Sequence, residues 1–133
     1  MSTDLVGFPT ARKTSRANLL AGWLAGGKLR LYTESRPASA DTAISNQTLL
    51  AEYSLPDPAG TVSNGVLTGP ALSSALVLAD GSAAWARAVD SSGVTVLDLD
   101  VGLAGSGASV IIDSLSLVTG GLVAVQSWSI TEG

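Results

Sequence analysis

The chain has 133 residues, room for one domain with a core of its own. It is 46% hydrophobic but only 14% charged, where a soluble domain usually carries about 25% charged residues. That is too little charge to cover a free surface in the ordinary way, so part of the surface is expected to sit against partners; a plain Ser/Thr/Gly-rich β-protein is the alternative. The net charge is −4 and uneven. Arg12, Lys13 and Arg16 against Asp4 make residues 1–16 basic, while the remainder holds four basic and ten acidic residues. A short basic end on an acidic body suits an acidic contact surface. It does not suit nucleic acid, which needs a larger basic patch with aromatics between.

There is no cysteine and no histidine. Disulfides and Cys/His zinc sites are excluded, and so is nucleophilic chemistry that relies on either residue. No cofactor or metal is expected. The opening "MSTDLVGFPTARK" lacks an apolar run behind its charges and does not read as a secretory signal. "ANLLAGWLAGG" is too short and Gly-rich to span a bilayer, so no membrane role is expected.

Residues 1–13 show no hydrophobic period and read as an extended arm. Thr14 or Ser15 can cap a short helix over 15–26. In it Leu19, Leu20, Trp23 and Leu24 share a face, with Trp23 read as a packing anchor. Gly26 and Gly27 end the helix. The period then changes to two. Residues 28–32 alternate, with Leu29 and Leu31 inward, and 48–55 form the next strand. "PDPAG" breaks the run. Further short strands are expected at 65–68, 71–78, 83–89 and 94–101, the last two joined by the turn "DSSG". Residues 109–113 and 114–118 form one broken strand or two, and 122–131 the last. About eight short strands and one helix describe an all-β antiparallel β-sandwich or jelly roll over residues 14–133.

The chemical constellations are weak. Asp98 and Asp100 share a strand face and could bind calcium or act as acid and base, but a solvated face explains them better. "GLAGSG" (102–107) lacks the Lys-Ser/Thr of a phosphate loop and reads as a strand connection. A serine nucleophile would need Lys13 or Lys28 as base, and neither is placed for burial. Trp85 and Trp128 could form a sugar-binding platform if both faced out; filling the interior is the simpler use.

The run "GKLRLYTESRPASADTAISNQTLLAEYSLPDPA", then "GVLTG", then "AAWARAVDSSGVTVLDLDVG" and the closing "GGLVAVQSWSITEG" resemble capsid cement or decoration proteins of tailed bacteriophages. The resemblance covers residues 14–133 and leaves the arm out. It implies a jelly-roll-like sandwich that is not an enzyme. Such a protein sits on the outer capsid surface of the virion and clamps neighbouring major capsid protein subunits. It implies a dimer or trimer, and symmetric pairing favours the homodimer. The expected capsid contacts are Phe8, Arg12, Lys13 and Arg16. The long polar loop 34–47 is either a second contact, with Arg36, Pro37 and Asp41 as its distinctive residues, or an ordered crossover within the fold. The alternative function is a receptor- or carbohydrate-binding module of a phage tail or fibre; a carboxylate-based glycosidase ranks behind it.

Overall fold

A computed structural model describes residues 9–34, 36–37, 39 and 42–131. One helix, α1 (Thr10–Leu24), precedes eleven strands among the described residues. These are β1 (Lys28–Tyr32), β2 (Leu49–Ser54), β3 (Thr61–Ser63), β4 (Val66–Gly69), β5 (Leu72–Leu76) and β6 (Gly81–Ser82). They continue as β7 (Trp85–Val89), β8 (Thr95–Gly102), β9 (Val110–Ile112), β10 (Ser116–Leu117) and β11 (Leu122–Thr131). The fold is all-β and sandwich-like, as the strand pattern predicts.

The helix starts earlier than its side chains suggest. Pro9, extended at φ −60° and ψ 152°, stands at the cap, and its carbonyl accepts from Arg12 N (3.0 Å) and Lys13 N (3.1 Å). Residues 10–13 are thus helical, not part of an extended arm. Neither expected cap serves as one. Ser15 Oγ donates back to Ala11 O, and Thr14 Oγ1 accepts from Gly65 N at 2.9 Å, tying the helix to the β3–β4 turn. The end is as expected: Gly26 takes φ +72° and Gly27 N donates to Leu24 O. The buried side of α1 is Ala17 and Leu24, packed over β3, β4 and β8. Trp23 is 51% exposed and Leu19 54%, so Trp23 is not a core anchor.

The strands run β2-β1-β7-β8-β9-β11-β4-β3 in one curled sheet, with β5 also on β11; β6 and β10 pair separately. Ten of the chain's residues, Leu122–Thr131, make β11, which takes β9 along one edge and β5 then β4 along the other. The sheet is not wholly antiparallel: β8 and β9 pair in parallel through Val101↔Val110 and Gly102↔Ile111. Gly102 permits the tight return, because a Cβ there would collide with Ser106 and Ala108 of the intervening loop. The curl is closed by Leu78 N donating to Leu50 O (2.8 Å) and Tyr53 Oη donating to Val123 O (2.6 Å). Leu29, Leu31, Leu50, Leu67, Val110, Ile112, Val123, Val125 and Trp128 share one core.

The β3–β4 hairpin was absent from the sequence reading, although "NG" marks it: Asn64 (φ 51°) and Gly65 (φ 80°) both take positive φ. Opposite Trp128 on β11 stands Gly69 of β4, and the indole occupies the space a Cβ would need. Gly69→Ala should therefore displace the Trp128 ring and cost about 1–3 kcal/mol by overpacking. Urea unfolding followed by tryptophan fluorescence checks this, with a lower midpoint and an unchanged slope expected.

Candidate interaction site

Three places in the structure gather side chains of interest: a buried ionic cluster under the 34–47 loop, an outward stripe on α1, and an aliphatic face at one end of the sheet. The first begins with register. Arg87 of β7 lies opposite Asp98 of β8, and Trp85 opposite Tyr32 of β1. Arg87 Nε donates to Asp98 Oδ1 at 2.7 Å and Nη2 to Asp98 Oδ2 at 3.1 Å, a two-pronged pair with side chains only 6% and 7% exposed. The guanidinium also lies 5.3 Å from the Trp85 ring centroid, and that ring stacks on Tyr32 at 4.9 Å. Asp98 is therefore not on a solvated face, contrary to the sequence reading. Both its oxygens are committed to Arg87, which leaves it no free edge for a substrate.

The remaining donor of Arg87 shows what the cluster does. Nη1 donates to Thr42 O at 2.9 Å, in the middle of the long loop. The base of that loop is closed by Thr33 N to Thr48 O (3.1 Å) and Thr48 N to Thr33 Oγ1 (2.9 Å), and Trp85 Nε1 donates to Thr33 O. In its described part, the loop is an ordered crossover tied to its own sheet. Arg36 is exposed and Pro37 half-buried; Asp41 lies outside the described residues. Asp100 is exposed on β8, away from the Asp98 pair, and accepts from Ser109 N at 3.0 Å. Partial burial pushes its carboxyl up, but the Ser109 hydrogen bonds and the positive charge of Arg36 outweigh this and hold it below its usual range. Among the described residues, no three acidic side chains come together as a metal site would need.

The second place is helical. Arg12, Arg16, Leu19 and Trp23 follow one another at spacings of four, three and four, so they form one stripe along α1, and all four are exposed. Lys13, expected to act with the two arginines, turns aside: its Cβ packs by Gly65 in the β3–β4 turn. Phe8 lies outside the described residues. Under Trp23 runs an open groove of about 320 Å³, lined by Asp90, Val94, Thr95 and Val96. Asp90 Oδ1 accepts from Ser92 N and Val94 N, which fixes the β7–β8 turn beside it. No sequence signal separated Trp23 from the buried apolar residues of the helix, since Leu20 and Leu24 neighbour it at the same hydropathy.

The third place is aliphatic. Leu76, Leu78, Val118 and Leu122 are each more than half exposed. A larger cleft of about 480 Å³ between the β2 and β5 ends contains Tyr53, Leu55, Pro56 and Pro70. Its one titratable side chain, Tyr53, already spends its hydroxyl on Val123 O, and burial raises its pKa, helped by the charge of Asp113. Trp85 and Trp128 are both 2% exposed, so they form no outward platform for a sugar.

Removing one partner of a buried ion pair strands the other. Asp98→Ala should cost about 3–5 kcal/mol, while joint replacement of Arg87 and Asp98 by apolar residues should cost less. Hydrogen exchange at residues 42–48 should speed up in both variants, because Thr42 O loses its anchor. Compared with protein-family models, with curated proteins and with solved structures, the chain matches none.

Proposed function

We propose that this chain is a structural virion protein that decorates the outside of a bacteriophage capsid and cements neighbouring major capsid protein subunits. The observation that carries the reading is the α1 stripe. A small domain with little charge leaves a tryptophan 51% exposed and lines it up with two arginines. Tryptophan and arginine are the residue types on which binding energy concentrates at interfaces. The resemblance of residues 14–133 to cement proteins supplies the partner.

In this mechanism Trp23 and Leu19 enter an apolar depression on the capsid, and Arg12 and Arg16 meet acidic side chains at its rim. The helix is already formed and tied to the sheet by Thr14 Oγ1 accepting from Gly65 N, so little ordering is lost on docking. Phe8, just before the helix, extends the same contact. Each copy binds modestly, and a shell carrying many copies gains strength from their number. The loop 34–47 takes no part, since Arg87 holds it down on its own sheet. The carbohydrate-binding alternative loses its platform with Trp85 and Trp128 buried.

Undecorated shells mixed with purified protein and pelleted through sucrose test this. Trp23→Ala should lower occupancy by about tenfold or more at limiting concentration. Arg12→Glu with Arg16→Glu should do the same, and added salt should weaken binding of the native chain. Full occupancy by both variants would refute the proposal.

A further inference from the structure

We propose that the face made by Leu76, Leu78, Val118 and Leu122 is where a second copy of this chain binds, about a two-fold axis. The inference stands on its own geometry and does not need the capsid reading.

The four side chains belong to one surface for reasons of register. Leu76 of β5 and Leu122 of β11 are directly paired across the ladder, so they point to the same side. Burial alternates around them: Val77 and Val123 are buried, while Leu76, Leu78 and Leu122 are 56%, 52% and 68% exposed. Val118 joins them through the turn that leads into β11. Gly121 N donates to Val118 O, Gly120 N donates to Val77 O, and Val77 N donates to Gly121 O, all within 2.9–3.0 Å. Asp80 Oδ1 accepts from both Thr119 N (2.7 Å) and Thr119 Oγ1 (2.9 Å). The turn carrying Val118 is thus laced to the 77–80 segment, and the face is rigid before anything binds.

This face differs in kind from the α1 stripe. None of its four residues is charged or can hydrogen-bond through its side chain. The acid at its rim, Asp80, is turned to Thr119, and those hydrogen bonds hold its carboxyl below the usual range. A face without charge cannot select a partner by electrostatic match, but a two-fold copy presents the same composition by construction. Four large aliphatic side chains left open in this way amount to apolar area on the order of 400 Å², the size at which a patch stops being incidental. That is about half of the ~800 Å² each partner contributes to a standard interface, so it would form the dry centre, with exposed Ser74 and Thr119 in the rim.

Sedimentation equilibrium of the full chain, without shells, tests this. A monomer of 13.3 kDa should give way to a species of twice that mass as concentration rises. Because each copy carries −4 and the contact is apolar, association should strengthen with ammonium sulfate, opposite to the salt response of an arginine-borne contact. Leu122→Asp and Val118→Asp should each weaken self-association about tenfold or more, while Leu103→Asp, an equally exposed site in the 103–109 loop, should not. Circular dichroism establishes that each variant is folded. A native chain that stays monomeric at all concentrations overturns the inference, and so do folded Leu122→Asp and Val118→Asp variants that associate like the native chain. Shell pelleting separates the two readings: a monomeric Leu122→Asp variant that still decorates shells leaves both standing, and a monomeric native chain that decorates them removes only this one.

Discussion

The two-sided pairing of β11 is the constraint on which the rest of the structure depends. One strand of ten residues holds β9 on one edge and, on the other, β5 and β4 end to end. Its side chains serve three regions in turn. Leu122, opposite Leu76, opens the aliphatic face; Val123 and Val125 fill the core; Trp128 lies over Gly69. Through β4 the same strand positions the Asn64–Gly65 turn, and through Gly65 N it fixes Thr14 and the helix. The orientation of the α1 stripe therefore follows from hydrogen bonds that start in the last strand of the chain.

A shortage of charge explains how the apolar residues are distributed. A sandwich this small cannot hide every leucine it has, and the surplus is not scattered evenly. It collects on α1 beside two arginines and at the β5–β11 end without any charge. The one charged pair that is buried, Arg87 with Asp98, fastens a long polar loop to the sheet. The fold thus uses an internal ion pair to hold a loop and leaves apolar side chains at its surface, the reverse of the ordinary economy of a monomer.

Much of the architecture could be read from the chain. Strand residues alternate as the pleat requires, so Leu29 and Leu31 were legible as core, and the turns at Gly26-Gly27, Asp90–Gly93 and Gly120-Gly121 stood where glycine makes them cheap. The helix start was misread because Thr14 and Ser15 look like caps, yet a hydroxyl can equally bond a distant amide or the turn behind it. The Arg87–Asp98 pair was hidden by a bulge. Regular extension of the Val89↔Thr95 pairing would set Arg87 against Leu97, and the irregularity at Ala88/Val89 moves it to Asp98.

What the sequence determined by itself is class and exclusion: an all-β domain led by one helix, with no thiol or imidazole chemistry available to it. Local periodicity and composition carry that information, because each depends on neighbours within a few residues. The tertiary structure alone decided which apolar residues stay outside, which carboxylate is buried, and whether the 34–47 loop is free. Those depend on pairings between residues far apart in the chain, such as Arg87 with Thr42 or Leu76 with Leu122, and neither the bulges nor the parallel β8–β9 return that set them leave a periodic trace.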